Sequence, residues 1–275
     1  VSVRLAVVGH IEWVEFARVE HVPTAGEIVH SLETWDEPAG GGAVAAVQIA
    51  NLNGSADFFT AFGDDELGRR ARDDLTARGV TVHAGAPSGP QRRALTFVDD
   101  NGERTITTLG RKLVPSGDDG ALPWDELSAF DAVFFVSGDV AALRAARRSP
   151  VVVAAARELA TLKRAEEQLD VIVGSGGDPG ERFEPGMVEP PPLAVVTTAG
   201  ALGGWVRPGG PFRAAPLPGP VEDAYGCGDC FAAGLTFALG EGRPLDEAVA
   251  FAARCGAAVL TGRGAYAGQL TAADL

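Results

Sequence analysis

Short apolar runs punctuate the chain at residues 5–9, 57–62, 132–136, 151–155, 170–173 and 193–196, each closed by glycine or a polar turn. Apolar runs of this length read as strands buried on both faces. Between them the spacing of apolar positions predicts helices over 42–52, 66–78, 140–147 and 158–169, with a final pair over 229–239 and 245–260. Strands alternating with helices imply βαβ units around a parallel sheet, covered on both faces. No repeat at a solenoid period interrupts the alternation. Two segments depart from it. Residues 27–35 and 93–109 read as strands in hairpin-like contexts, with Asp99-Asp100-Asn101-Gly102 supplying an Asn-Gly turn. They form either a small β lid over a site at the sheet's carboxyl edge or an ordinary edge hairpin.

A length of 275 residues with 46% hydrophobic positions is enough for one large domain, alone or with a small subdomain. The formal net charge of −14 disfavours a nucleic-acid or anionic-membrane partner, because counterion release needs clustered cations. Phosphate binding stays open, since backbone N–H groups do it without net charge. Three cysteines, Cys227, Cys230 and Cys255, make no disulfide framework, and a cytoplasmic location is expected. Cys227 and Cys230 form a C-x-x-C, but no second pair or nearby histidine completes a zinc set. No apolar stretch of ~18 residues predicts a membrane span. The first residues run directly into a strand, so no signal peptide is expected.

The most informative stretch is Asp223-Ala224-Tyr225-Gly226-Cys227-Gly228-Asp229, which leads into a helix. Two glycines let the backbone approach a ligand closely. The free N–H groups of a first helical turn make an anion site. A carboxylate placed beside a bound anion is costly unless it does chemistry, and the natural chemistry is to take a proton from a hydroxyl attacking phosphate. By itself, an aspartate there also reads as an ordinary N-cap.

The chain resembles the ribokinase-like (PfkB-type) carbohydrate and nucleoside kinases over nearly its full length. The residues that carry the resemblance follow in order. They are the turn Gly40-Gly41-Gly42 into a helix, Gly63-Asp64-Asp65-Glu66-Leu67-Gly68, the hairpin Asp100 to Thr105, Ser137-Gly138 after a strand, Thr198-Ala199-Gly200 after another, the stretch ending at Asp229, and Arg263-Gly264-Ala265. The resemblance implies a single three-layer αβα domain over 1–275 with a central, mostly parallel sheet. Its small β lid would be contributed by about 11–36 and 92–110. The implied reaction moves the ATP γ-phosphoryl group to an alcohol of a small sugar-like or nucleoside-like substrate, with Mg²⁺ and, in some members, a monovalent cation such as K⁺. A homodimer through the lid is left open.

Carried over by position, Asp229 is the implied base, and Gly226, Cys227 and Gly228 the implied anion hole. Thr198 and Gly200 approach the nucleotide phosphates. Gly264 lies beside the adenine or a cation loop, and Asp223 matches a potassium position. The family's Asn-x-x-Glu, which organises Mg²⁺, falls on Ser175-Gly176-Gly177-Asp178 and is altered at both ends.

The substrate end departs further. Gly41 and Gly42 are kept, but an aspartate that clamps vicinal hydroxyls falls on Val14, with Glu12 or Glu15 as shifted alternatives. A following asparagine falls on Val44. Two lost polar groups argue against a polyhydroxylated sugar. Ribose and fructose 6-phosphate are therefore expected to be poor substrates, and a ring-bearing alcohol contacting Trp13 and Trp35 a better one. Arg92, Arg93, Arg104 and Arg111 read as a solvated hairpin face. A non-catalytic, ligand-binding member of the same fold is the rival reading. A dinucleotide oxidoreductase is not supported, because no Gly-x-Gly-x-x-Gly follows the first strand.

Overall fold

The computed structural model describes residues 3–86 and 89–275. The chain enters through β1 (Leu5–Val8), crosses to β2 (Glu12–Arg18) and β3 (Glu33–Ala39), and returns as α1 (Gly41–Asn53). Then come β4 (Ala56–Thr60), α2 (Glu66–Ala77), β5 (Val80–Ala84) and the hairpin β6 (Arg93–Val98) and β7 (Arg104–Leu109). The second half runs β8 (Ala132–Phe135), α3 (Val140–Ala146), β9 (Val151–Ala155), α4 (Leu159–Ala165), β10 (Val171–Ser175) and β11 (Ala194–Thr198). A small hairpin, β12 (Gly204–Arg207) and β13 (Gly210–Phe212), precedes α5 (Cys227–Gly240) and α6 (Leu245–Val259).

The main sheet has nine strands in the order β13-β12-β11-β10-β9-β8-β1-β4-β5. All neighbours from β11 to β5 are parallel, and β12 and β13 add an antiparallel edge. Strand β1 shows why both faces are covered. Leu5 and Val7 point into a core shared with α1, α5 and α6, while Ala6 and Val8 point into a second core shared with α3 and α4. A period of two with apolar residues at every position demands a cover on each side.

A second sheet of four strands, β3-β2-β6-β7, forms the lid, with β2 and β6 parallel. The hairpin expected over 93–109 is β6 and β7, the strand expected over 27–35 is displaced to β3, and β2 falls inside the expected lid segment 11–36 without having been singled out as a strand. β2 is buried on both faces, so it lacks the polar-apolar alternation that betrays a half-exposed strand. Its outward Trp13 packs under Arg70 of α2, with the guanidinium 4.3 Å from the ring centre.

The Gly63–Gly68 stretch is a joint between core and lid. Asp65 caps α2, its Oδ1 accepting from the Gly68 N–H at 3.0 Å and its Oδ2 from the Gln91 N–H at 3.0 Å. Buried Gln91 accepts from the Gly63 N–H and donates to the Ile11 carbonyl. The motif thus fixes how β6 leaves the core.

The carboxyl ends of β1, β8, β9, β10 and β11 share one edge, where successive crossovers leave to opposite sides of β1. Open α/β sheets bind ligands at such a switch point. His10, just after β1, hydrogen-bonds through Nδ1 to Ser137 Oγ, just after β8, at 2.9 Å.

Candidate active site

Helix α5 starts two residues earlier than the periodicity suggests. Gly226 is its N-cap, at φ 77, a left-handed conformation that favours glycine. Asp229 therefore lies inside the first turn and makes no capping hydrogen bond, which removes the N-cap reading. The helix's first backbone bond runs from the Cys230 N–H to the Gly226 carbonyl at 2.8 Å. The N–H groups of Cys227, Gly228 and Asp229 are left without helical partners, and the space beyond Gly228 is open. Free N–H groups of this kind are what helix starts offer to anions in general. Burial pushes the Asp229 carboxyl up to about 6, with Glu181 adding to the rise and Arg104 and Arg157 opposing it. Cys227 is the reverse of a reactive thiolate, since burial raises its pKa.

Two neighbours hold this turn. Asp223 accepts from the Tyr225 N–H at 2.8 Å through one oxygen and from the Gly264 N–H at 3.0 Å through the other. It is a tie between two loops, and each oxygen accepts one N–H and keeps a further lone pair. Gly264 itself presses on the lid: a Cβ there would lie 2.3 Å from Glu37 Oε1. The lid tip reaches the same turn. The Ala224 N–H donates to the Gly102 carbonyl at 2.9 Å, and Arg104 Nη1 donates to the Ala224 carbonyl at 2.9 Å. Arg104 is thus no solvated bystander, whereas Arg93 pairs with exposed Glu15, as a hairpin face should.

At the amino end of α1, Gly41 abuts Asp229: a Cβ there would lie 2.8 Å from its Oδ1. Gly42 does not reach a ligand. Its Cβ would strike the His10 backbone at 2.6 Å and Phe58 at 2.9 Å, so this glycine permits close packing of helix on strand. Val14 and Val44 are 0% exposed and offer a ligand no surface, with Val44 packed under Gly226. Trp13 faces away, its indole N–H donating to Asp36 Oδ2 at 3.0 Å. Trp35 stacks on Phe16, with ring centres 4.9 Å apart. The pocket of valines and stacking tryptophans drawn from sequence is therefore not assembled, and the expectation against hydroxylated and phosphorylated sugars loses its ground. Of the shifted alternatives, Glu12 points inward, buried beside Gly40 and His10, whereas Glu15 points out.

On the strand edge, Thr198 Oγ1 approaches the Gly174 carbonyl at 3.4 Å, and the Gly176 N–H bonds the Thr198 carbonyl, so the β10 and β11 loops lie side by side. Nothing crowds Gly200. Arg157, just past β9, binds Asp178 at 2.5 Å and Glu181 at 2.7 Å. Glu181 also accepts from the Ser175 N–H at 3.1 Å. Arg157 and Glu181 were not singled out from the sequence. Their only advance signal is position, since residues just past parallel strands line the binding edge. Among the described residues no three metal-type side chains form a cage. No helix is long and apolar enough to cross a membrane among the described residues.

Residues 3–172 and 190–272 match the pfkB family of carbohydrate kinases, and the chain belongs to that family. It is 33% identical over 112 residues to the ATP-dependent ribose-1-phosphate kinase of Halopiger xanaduensis, a match covering 39% of this chain and about a third (36%) of that relative's length. In structure it resembles the ribokinase of Thermotoga maritima, with a TM-score of 0.77, 20% identity and coverage of 99% and 97% of the two chains. It also resembles Arabidopsis thaliana ribokinase complexed with ribose and ATP, with a TM-score of 0.75, 18% identity and coverage of 100% and 97%. These likenesses establish the ribokinase-like α/β fold.

Proposed function

We propose that the chain transfers the γ-phosphoryl group of ATP to an alcohol of a small sugar-like or nucleoside-like acceptor. The observation that carries this is Asp229, a carboxyl raised to about 6 and without a hydrogen-bond partner, at a helix start whose first three N–H groups lack helical partners. The acceptor oxygen forms a bond to the γ-phosphorus while the bond to the β-phosphate oxygen breaks. The hydroxyl proton passes to Asp229, and ADP leaves. The N–H groups of Cys227, Gly228 and Asp229 face the charge spread over the migrating oxygens. Coupled measurement of ADP release across an acceptor panel tests the reading, and a chain that releases none with any acceptor is not this enzyme.

Glu181 or Asp178, on the Ser175–Glu181 loop, would hold Mg²⁺, which would supply neutralising charge for the phosphate groups. Arg157 binds both carboxylates, with the Ser175 N–H also on Glu181 and the Gly180 N–H also on Asp178, and of the two Glu181 is the one that lies in the field of Asp229. Glu181→Gln should raise the Mg²⁺ needed for half-maximal rate about tenfold, as loss of an outer-shell partner does, and Asp178→Ala less. An unchanged magnesium profile in both variants would make the loop a mere connector.

The lid supports a further element of the proposal, pairing of two chains. Its edge strand β7 is exposed at every residue and presents Ile106 and Leu109. Unprotected edges of this kind pair readily. Light scattering at micromolar concentration should show a dimer, and a monomer throughout removes this element.

A further inference from the structure

The chain has two tyrosines, and they spend their hydroxyls differently. Tyr266 donates its proton to the Pro38 carbonyl at 2.5 Å. Tyr225 is only 5% exposed, and its hydroxyl oxygen accepts from the Gly40 N–H at 3.1 Å. Among the described residues no oxygen takes the proton of that hydroxyl. Buried polar groups are nearly always paired, and leaving a donor unpaired is costly. An unspent donor beside a catalytic carboxyl is one that a ligand can complete.

The group is held from three sides. Its ring packs edge-on against Phe16 of β2, with centres 5.0 Å apart and planes at 75°. Its backbone N–H is bound by Asp223 at 2.8 Å. The next residue, Gly226, caps α5, whose first turn carries Asp229. Lid, loop and helix start together leave the hydroxyl little freedom, as a specific contact needs.

The hydroxyl also stands next to the proposed base. Its partner Gly40 precedes Gly41, and a Cβ on Gly41 would lie 2.8 Å from Asp229 Oδ1. A Cβ on Gly40 itself would lie 3.3 Å from Glu12 Cγ. Consecutive Cα atoms are about 3.8 Å apart, so Tyr225, Glu12 and Asp229 all border one two-residue stretch of backbone. Burial and the charges of Glu12 and Asp229 raise the Tyr225 pKa, so the group stays protonated and can only serve as a neutral donor.

We propose that Tyr225 contacts the acceptor, its O–H donating to a second hydroxyl oxygen of the sugar or polyol part, other than the one that attacks phosphorus. This rests on the phosphoryl-transfer reading of the same cleft. The Gly40 N–H holds the tyrosine oxygen from behind and orients its proton. Tyr225 then selects the hydroxyl pattern of the acceptor, whereas Asp229 deprotonates the hydroxyl that reacts.

The test removes one hydroxyl at a time from each side of the contact. Ribose is compared with 2-deoxyribose, 3-deoxyribose and 1,4-anhydroribitol, and adenosine with its 2′-deoxy and 3′-deoxy forms. Tyr225→Phe keeps the ring on Phe16 and loses only the hydroxyl. At one position the parent should prefer the full acceptor to its deoxy analogue in kcat/KM. That preference should shrink roughly 3- to 10-fold in Tyr225→Phe, the worth of one neutral hydrogen bond. The change should lie in the acceptor KM, with kcat and the ATP KM as in the parent. Because each preference compares two acceptors on one variant, any loss of folded protein cancels. A tyrosine that merely holds the Gly40 turn would lower kcat/KM by the same factor for every acceptor and leave all preferences unchanged. That result, or kinetics equal to the parent's throughout, overturns the proposal and leaves the kinase reading intact. Thermal stabilisation by the same sugars and nucleosides, measured without ATP, separates the two readings. If no acceptor of the panel releases ADP, stabilisation that depends on one hydroxyl in the parent and not in Tyr225→Phe keeps the contact and removes the kinase. Absence of that dependence removes both.

Discussion

Asp229→Asn should lower kcat by about 10²-fold or more while leaving nucleotide affinity within a few-fold of the parent. The amide keeps the size and the anion hole but cannot accept the proton. In the parent, the raised carboxyl sets a pH signature. The base acts only when ionised, so the rate should fall as pH drops through about 6 and level off above it. Stability should move the other way. A carboxyl whose folded pKa is raised lends stability below its unfolded pKa, and that contribution is lost as pH rises through the folded value. Asp229→Asn should therefore melt no lower than the parent at pH 8, with the difference shrinking towards pH 5. Activity within threefold of the parent, or a pH profile without a limb near 6, would remove Asp229 from the role of base.

Neighbouring glycines at the start of α1 should fail in different ways. Gly41→Ala puts a methyl group against Asp229 Oδ1, the mobile end of a side chain that can swing aside. The fold should survive, and kcat should drop by about 10²-fold, because a misplacement of one ångström has that cost. Gly42→Ala meets the His10 backbone and the Phe58 ring, which cannot swing aside. Overpacking of that kind costs about 1–3 kcal/mol, which for a domain of this size lowers the melting temperature by about 2–10 °C. Calorimetry beside steady-state kinetics on both variants checks the pair. If Gly42→Ala melts with the parent, helix and strand are not in the contact described.

The sequence discloses the middle of the central sheet well, because β1, β8 and β9 are apolar at every position, whereas β5, broken by Thr81 and His83, was not singled out. The run at 151–155 coincides with β9, and the helices over 42–52, 66–78 and 245–260 lie within a residue or so of α1, α2 and α6. The helix expected over 158–169 stops at Ala165 for a tertiary reason. Arg144 of α3 and Arg147 just past its end bind the carbonyls of Ala165 and Gln168. Nothing local announces that capture. The hairpin β12–β13 is hidden by its glycines and prolines, which carry no alternation.

The site was legible where the chemistry is local. The glycines and Asp229 sit on consecutive positions of one helix start. It was illegible where partners come from afar. Arg92 looks like hairpin decoration until Glu12, some eighty positions earlier, is seen beside it. Val14 and Val44 look like lost contacts until both are found enclosed.

Ala224 has both backbone groups committed to the lid, its N–H to Gly102 and its carbonyl to Arg104, immediately before the turn that opens α5. The lid cannot lift without releasing that peptide. Its amide should therefore exchange with solvent deuterium at the rate of lid opening, making one residue a clock for the motion. An acceptor that holds the lid down should slow the clock and tighten the nucleotide site. Reciprocity of binding free energies then requires nucleotide to tighten the acceptor by the same factor.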